Sequence, residues 1–193
     1  IRTEDGVRIR EAFVPKDGHI LISADYSQVE LRVLAHYSED PSLIDAFSKD
    51  EDIHTRTASE VSRVSVDEVN AEMRAKAKAV NFGIVYGLSA FGLSQQLGIA
   101  TSEAEETIKS YFSRYEGIER FLVSTREEAK RQGYVQTLLG RRRYLPDLGS
   151  KNKMIRSAAE RMAVNTVIQG TAADLIKKAM ITIDRVVSSE GLQ

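Results

Sequence analysis

The sequence contains no cysteine, only three prolines and no apolar run that approaches the length of a membrane span. The absence of cysteine excludes a disulfide scaffold and a thiolate metal site, and it is consistent with the reducing cytoplasm as the expected location. No N-terminal signal pattern is present, and we expect no membrane association. With 42% hydrophobic and 28% charged residues among 193, the composition is that of a globular, core-forming protein.

The net charge of −1 conceals an uneven distribution of charge along the chain. Residues 39–72 contain ten acidic and three basic side chains, whereas residues 130–161 contain nine basic and two acidic ones. A polyanion would meet an acidic half and a basic half, although both halves could equally be solvated surfaces. Charge alone therefore leaves nucleic-acid binding open.

Hydrophobic periodicity predicts a mostly helical chain whose strands lie near its ends. Strands are predicted at Val7–Val14 and His19–Asp25, and a hairpin around Gly140 from Tyr134–Leu138 and Arg143–Leu145. Helices are predicted at Val29–Tyr37, Ser42–Phe47, His54–Ser62, Val66–Val69, Ala71–Tyr86, Glu103–Arg114, Gly117–Arg131 and Lys153–Val187. This order predicts an α+β fold, with helices inserted into a partial antiparallel sheet rather than a doubly wound parallel one.

The segment RAKAKAVNFGIVYG is the most informative stretch of the chain. Its Arg74, Lys78, Phe82 and Tyr86 recur every four residues, so a helix would align them in one slowly winding stripe. Arginine and lysine suit phosphates, and aromatic rings stack on any base. The stripe is typical of a helix that holds a nucleoside triphosphate. The alternative is an ordinary surface helix with its rings in the core and its cations in solvent.

A second candidate site is DYSQVELR, which spans residues 25–32. Asp25 is expected at the tip of a strand, where its carboxylate and a backbone carbonyl such as that of Tyr26 would suit Mg²⁺. Glu30 lies one turn into the following helix and would point back toward the same site. The alternative is an acidic helix N-terminus, in which both carboxylates are stabilised by the helix dipole.

Three weaker signals lie elsewhere in the chain. His54 follows Asp52 in an acidic stretch and would suit a phosphate contact, but a single histidine is more often structural. Arg161, Asn165 and Gln169 share one face of the long predicted helix and could donate hydrogen bonds to minor-groove acceptors, although such a face is often merely solvated. The basic turn LLGRRRY would suit backbone phosphates.

Two of these motifs are specific when taken together. DYSQVELR followed by RAKAKAVNFGIVYG resembles motifs A and B of the family A DNA polymerases, the bacterial DNA polymerase I type. DIHTRTA, QTLLGRRRYLPDL and AERMAVNTVIQGTAADLIKKAMI are similar to further segments of that family, in the expected order. The resemblance covers nearly the whole chain. It implies template-directed DNA synthesis, in which a primer 3′-oxygen attacks the α-phosphate of a dNTP with two Mg²⁺ ions and pyrophosphate leaves.

The resemblance also implies roles for individual residues. Asp25 would be catalytic and hold both metal ions, and Tyr26 would lend its carbonyl to the second. The nucleotide would be bound by Gln28, Glu30, His54, Arg74, Lys78, Phe82 and Tyr86. Within this set, Lys78 would also be catalytic, Glu30 would exclude the 2′-hydroxyl of ribonucleotides, and Phe82 would disfavour dideoxynucleotides. Template–primer DNA would be contacted by Arg141, Arg142, Arg161, Asn165 and Gln169.

The same resemblance predicts a division of the chain into three parts. Residues 1–38 would be a partial palm with motif A, residues 39–133 the fingers with a nucleotide-binding helix at 71–87, and residues 134–193 a hairpin and a long helix that returns to the palm. The family's motif C, an HDE-like turn that brings a second catalytic aspartate, does not occur in the sequence. We therefore expect a fragment that binds dNTP–Mg²⁺ and DNA weakly and does not polymerise alone.

Two rival functions belong to other classes. One is a nucleotide- or DNA-binding module without catalysis. The other is a metal hydrolase that uses Asp25, Asp52 and His54, which would leave the cationic and aromatic stripe without a task. The expected partners are template–primer DNA and a dNTP, and no protein partner is expected.

Overall fold

The computed structural model describes residues 3–191, most of which are helical. Within these residues the α-helices are α1 (Glu4–Glu11), α2 (Val29–Ser38), α3 (Pro41–Ser48), α4 (Ile53–Ser62), α5 (Ala71–Val85), α6 (Ala90–Leu97), α7 (Thr101–Arg114), α8 (Glu116–Gln132) and α9 (Lys153–Ser189). Strands β1 (Tyr134–Gln136) and β2 (Arg142–Tyr144) separate α8 from α9. Short 3₁₀ helices cover Val66–Glu68 and Pro146–Gly149.

The hairpin confirms the predicted α+β class. Strands β1 and β2 pair antiparallel, with Tyr134 opposite Tyr144 and Gln136 opposite Arg142. Seven of the predicted helices form as α-helices close to their expected bounds, and the one expected at Val66–Val69 forms as a 3₁₀ turn. Helix α6 was not predicted, although Ser89 caps its first turn and Gly98, at φ 67°, follows its last residue.

The two predicted N-terminal strands are wrong. Residues 4–11 form helix α1, because Thr3 accepts a hydrogen bond from the Gly6 amide and two acidic residues occupy the first turn. The segment His19–Asp25 has no regular structure, and Ile20 and Ile22 are 81% and 84% exposed. A strand needs a hydrogen-bonding neighbour, and none of the described residues pairs with this segment.

The helices that carry the candidate site pack into one hydrophobic core. Helices α2, α8 and α9 contact one another, and the β1 strand lies against α8 and α9. Helix α5 packs lengthwise on α4 and also contacts α6, while α7 covers α4 and α6. Fully buried side chains such as Leu34, Ile118 and Ile168 join these groups of helices. The arrangement places α4 beside α5, with α2 and α9 near the C-terminal end of α5.

No helix within residues 3–191 is both long and apolar enough to span a membrane.

The division of the chain into palm, fingers and returning segment, with boundaries at residues 38 and 133, stays a prediction.

Candidate nucleotide-binding site

Helix α5 presents the predicted stripe on its open face. The Asn70 side chain caps the helix by accepting a hydrogen bond from the Met73 amide. Arg74 and Lys78 are exposed, whereas Phe82 and Tyr86 are partly buried. The opposite face is anchored in the core by buried residues, namely Ala77, Val80, Ile84 and Val85. The helix therefore exposes its cations at the surface while its rings lie against neighbouring helices.

The aromatic end of the stripe continues onto α4. The rings of Phe82 and Tyr86 stack with centroids 6.2 Å apart and an interplanar angle of 16°. The His54 ring lies 5.6 Å from the Phe82 ring on the other side. Three rings thus form a continuous row that begins beside the two cations, an arrangement suited to a ligand with both a ring system and phosphates.

Arg74 is held by an acidic residue of the neighbouring helix. Its Nε atom donates to Oδ2 of Asp52, which also accepts from the Thr55 hydroxyl at 2.8 Å. Asp52 is the N-cap of α4, because its Oδ1 accepts from the His54 amide. Partial burial works to raise the pKa of Asp52, but hydrogen bonds from Arg74, Thr55 and the His54 amide hold that pKa below its ordinary value. A phosphate that recruits Arg74 must therefore compete with the Asp52 carboxylate.

Lys78 lies one turn after Arg74 and forms no ion pair with any of the described residues. Its neighbour Lys76 points elsewhere and pairs with Glu72 at 3.1 Å. Of these two lysines, Lys78 is the one that the fold leaves available to a ligand beside Arg74.

His54 is almost fully buried, with 4% of its surface exposed. Its Nδ1 accepts a hydrogen bond from the Asn81 amide nitrogen at 3.0 Å. Asn81 in turn bonds to Thr57, whose hydroxyl lies 3.2 Å from the Tyr115 hydroxyl. Burial lowers the pKa of His54, and the nearby positive charges of Arg74 and Lys78 add to this effect against the opposing charge of Asp52. The imidazole is therefore a neutral ring at physiological pH.

Tyr86 joins the stripe to the DYSQVELR segment. Its hydroxyl donates to Oε2 of Glu30 at 2.6 Å, so the C-terminal end of α5 is tied to the first turn of α2. Burial and the Glu30 carboxylate raise the pKa of Tyr86, while the Gln169 side chain on α9 partly opposes that shift. The predicted residues Glu30, Tyr86 and Gln169 thus meet, although they are far apart in sequence.

Gly87 allows α9 to approach the end of α5. Its φ is +69°, and a Cβ atom at this position would lie 2.8 Å from Cγ of Arg161. Such a distance is shorter than real Cβ contacts allow, so the glycine makes room for the Arg161 stem. Gly83 also lies at a close contact, since a Cβ there would lie 3.1 Å from the Leu88 side chain. Close packing therefore accounts for both glycines of the segment.

Asp25, Tyr26 and Gln28 lie in the segment that leads into α2. Asp25 is exposed and Tyr26 is 53% exposed, while Gln28 is the N-cap residue of α2 with φ at 52°. No group of three or more side chains that could bind a metal occurs within residues 3–191. A hard cation at Asp25 would therefore take its remaining ligands from backbone carbonyls, water or substrate phosphates, which is the way Mg²⁺ is commonly held.

The described residues do not assemble the rival hydrolase site. Asp52 is engaged in capping α4 and in pairing with Arg74, and His54 uses Nδ1 on Asn81. Within residues 3–191, Asp52 and His54 do not form a metal-binding group together with Asp25.

The predicted DNA contacts lie on α9 and the hairpin. Arg161 and Gln169 are exposed and Asn165 is partly buried, with its Oδ1 atom fully buried and without a hydrogen-bond partner among the described residues. Arg141 is engaged within the protein, because Nε donates to Asp174 at 2.8 Å and Nη2 to the Gly170 carbonyl at 3.0 Å. Arg142 lies over the Tyr134 ring, 4.8 Å from its centroid.

Sequence reasoning missed Asn81 as a site residue. Asparagine is a poor residue for a helix interior, and its presence in the middle of α5 was the available signal that a buried polar partner would meet it. The pairing of Arg141 with Asp174 had no such signal, since the two residues are 33 positions apart.

Comparison with known proteins places this chain in an established family. The model of DNA polymerase family A matches residues 1–193. The chain belongs to this family, whose members are nucleotidyl transferases that require divalent metal ions.

Individual relatives agree with this assignment. DNA polymerase I of Bacillus caldotenax is 57% identical over 194 residues, which cover 100% of this chain and 22% of that protein. DNA polymerase I of Bacillus subtilis is 58% identical over 182 residues, which cover 94% of this chain and 21% of that protein. The solved POL domain of Pol1 from M. smegmatis, in complex with DNA primer-template and dNTP, superposes with a TM-score of 0.92 at 48% identity and covers 100% of this chain and 34% of its own. The chain thus spans about a fifth of the length of the curated relatives that it matches.

Proposed function

We propose that this chain provides the fingers and part of the palm of a DNA polymerase, which adds a deoxynucleotide to a primer 3′-hydroxyl under the direction of a template. The observation that carries the proposal is the open face of α5, where two cations lead into a row of aromatic rings. The relative solved with DNA primer-template and dNTP shares this fold at 48% identity, which supports the same ligands here.

Each end of the stripe would bind one part of the nucleotide. Arg74 offers a planar fork and Lys78 a point charge to the triphosphate, and Arg74 would exchange its partner Asp52 for a phosphate oxygen. The N–H group at the second ring nitrogen of His54 would donate a hydrogen bond to the same phosphates. Phe82 would lie against the sugar and base, where a ring without a hydroxyl disfavours dideoxynucleotides according to the family pattern.

Glu30 would select the sugar. The Tyr86 hydroxyl holds one carboxylate oxygen of Glu30 at 2.6 Å, and this fixes the direction of the side chain. A carboxylate held at the 2′ position of a bound sugar leaves no room for a hydroxyl there. Gln28, at the start of the same helix, would border the nucleotide.

Asp25 and the Tyr26 carbonyl fit a magnesium site that is completed by substrate phosphates. Magnesium, when bound, supplies charge neutralisation at the triphosphate and favours ionisation of the primer hydroxyl. On the protein side, Asp25 would hold the ions against the triphosphate, and Lys78 would balance the negative charge that grows as pyrophosphate separates.

Template–primer DNA would lie along α9 and the hairpin. Arg161, Asn165 and Gln169 can donate to minor-groove acceptors that every base pair presents, so contact would not depend on sequence. Arg142 would contact a phosphate of the DNA backbone. Arg141 would contact a second phosphate while its bonds to Asp174 and Gly170 hold the hairpin against α9.

The proposal is tested by titrating the chain with dATP and Mg²⁺ and comparing Lys78→Ala with Lys76→Ala. The two lysines share a helix, but Lys76 is already paired with Glu72. Loss of one charge-assisted phosphate contact should weaken binding by about tenfold in Lys78→Ala and leave Lys76→Ala near the unaltered chain. Equal affinity of all three proteins would contradict the proposal.

Primer extension separates the polymerase from a nucleotide-binding module without catalysis. In the polypeptide that carries this segment, Lys78→Ala and Asp25→Ala should each abolish most incorporation, whereas a binding module would show no incorporation to lose.

A further inference from the structure

Behind the phosphate-facing ring of His54 lies a buried polar chain, three of whose four members the proposed function does not use. It runs from His54 through Asn81 and Thr57 to Tyr115, and three of these residues are 2% exposed or less. Buried polar groups of this kind are costly unless every member is satisfied, so the chain constrains how each side chain is oriented.

The first step concerns the ring nitrogen that faces Asn81. The atom of Asn81 that lies 3.0 Å from His54 Nδ1 is the amide nitrogen, which can only donate. Nδ1 must therefore be the unprotonated acceptor, and the ring proton of the neutral imidazole must be on Nε2.

The second step concerns the other ring nitrogen. Among the described residues, Glu60 Oε2 and Asn165 Oδ1 are the fully buried side-chain oxygens and nitrogens that lack a hydrogen-bond partner. His54 Nε2 also has no partner there and is absent from this group, so it retains contact with solvent. The same ring lies beside Phe82, on the side of α5 that carries Arg74 and Lys78.

The third step concerns what holds Asn81. The Thr57 hydroxyl lies 3.2 Å from both Oδ1 and Nδ2 of Asn81 and 3.2 Å from the Tyr115 hydroxyl. Tyr115 is itself fully buried at the start of α8. The Asn81 side chain is thus held in place between α4, α5 and the start of α8.

From these contacts we infer that Asn81 is a positioning residue, which fixes His54 as the Nε2–H tautomer and so presents a neutral N–H donor to the triphosphate. This inference rests on the proposed function for the identity of the ligand, but not for the tautomer. The neutral Nε2–H form can donate to a phosphate without taking up a proton, so this contact would not require a pH low enough to protonate a free histidine. Asn81 itself, being buried, would touch no part of the nucleotide.

The tautomer is measured by long-range ¹H–¹⁵N correlation spectra of the ¹⁵N-labelled chain at pH 7.5. The chain has three histidines, and His19 and His36 are exposed internal references. We expect the His54 Nδ1 signal in the range of an unprotonated ring nitrogen and Nε2 in that of a protonated one. The reverse assignment would overturn the inference.

Two variants of similar shape should change the His54 tautomer to different extents. Asn81→Leu removes the donor, so His54 should populate both tautomers. Asn81→Asp substitutes an acceptor, so Nδ1 should become protonated, with Asp52, Arg74 and Lys78 as the other charges that face the ring. If Asn81→Leu does not fold, Asn81→Asp alone decides the matter. An unchanged Nε2–H tautomer in a folded Asn81 variant would overturn the inference.

Tyr115→Phe is the matched control for a merely structural effect. It removes a buried hydroxyl from the far end of the chain while leaving the Asn81–His54 bond intact, so it should lower stability without altering the tautomer. Affinity for dATP should fall about twofold in Asn81→Leu, where the competent tautomer stays partly populated, and about tenfold in Asn81→Asp, where it is lost. Affinity for dAMP should change less in both, because the lost contact is to the outer phosphates. Failure of the unaltered chain to bind dATP would count against the proposed function alone, since the tautomer is measured without nucleotide.

Discussion

Replacing Gly87 by alanine probes how closely α9 must approach the C-terminal end of α5. The substitution has two costs. An L-residue at φ +69° is strained by about 1–2 kcal/mol, partly offset by the reduced freedom of the unfolded chain. In addition, the new Cβ would lie 2.8 Å from Cγ of Arg161, which must rotate away at about 0.5–1.5 kcal/mol. We expect Gly87→Ala to lower the free energy of unfolding by about 2 kcal/mol.

Gly98 provides a matched control for the backbone part of this cost. Its φ is +67°, and a Cβ there would meet nothing within 4 Å. Gly98→Ala should therefore cost only the conformational strain, about 1 kcal/mol. Urea denaturation followed by circular dichroism measures both values, and the difference between them reports the approach of Arg161.

A double-mutant cycle completes the test. Arg161→Ala removes the Cγ and Cδ atoms that Gly87→Ala would meet, so Gly87→Ala in that background should cost no more than Gly98→Ala. If Gly87→Ala and Gly98→Ala cost the same in the unaltered chain, the reasoning about the Arg161 contact is refuted.

Three further predictions concern charged and titratable groups. Because burial lowers the pKa of His54, the unfolded chain binds more protons below about pH 6.5, so the unfolding free energy should fall as the pH drops from 6.5 toward 5. In His54→Asn this slope should become shallower and retain only the part near pH 5 that comes from carboxylates with lowered pKa values, such as Glu60; an unchanged slope would contradict the prediction. Arg141→Ala should lower the unfolding free energy by about 1 kcal/mol through loss of its bond to Asp174. Arg142→Ala should cost less stability, because it loses only exposed contacts to Tyr134 and Gln136, and it should reduce the salt dependence of DNA binding by about one ion; equal stabilities would argue against the tether. Glu30→Ala in the polypeptide that carries this segment should relax the exclusion of ribonucleotides, as measured by steady-state incorporation of rNTP against dNTP, and unchanged selectivity would defeat that role.

Seven of the nine α-helices within residues 3–191 could be predicted from sequence, because their signals are local. The four-residue spacing of the stripe and the glycine after it fixed α5 at Ala71–Tyr86, within one residue of the observed end. The strands predicted near the N-terminus failed for the opposite reason. The apolar run at His19–Asp25 has strand propensity, but a strand forms only against a neighbour, and none of the described residues supplies that neighbour.

The contacts that make the site could not be predicted from local patterns. Glu30 and Tyr86 are 56 residues apart and meet only because α2 and α5 are both oriented by the same core. Asp52 was identified as part of an acidic segment, but its pairing with Arg74 depends on α4 lying along α5. Residue type thus indicated which side chains could bind a nucleotide, whereas packing decided which protein partner each one holds.

Under the proposed function, these existing partners determine how much binding free energy a nucleotide could gain from each side chain. Arg74 is neutralised by Asp52, Tyr86 is bonded to Glu30, and Lys78 has no ion-pair partner among residues 3–191. A triphosphate therefore gains most from Lys78 and must exchange one ion pair for another at Arg74, which yields little net free energy at an exposed site. It follows that Lys78→Ala should weaken dATP binding more than Arg74→Ala does. Asp52→Asn should strengthen binding, because it releases Arg74 while retaining an N-cap on α4. Weaker dATP binding by folded Asp52→Asn would show that Asp52 orients Arg74 for the ligand rather than competing with it.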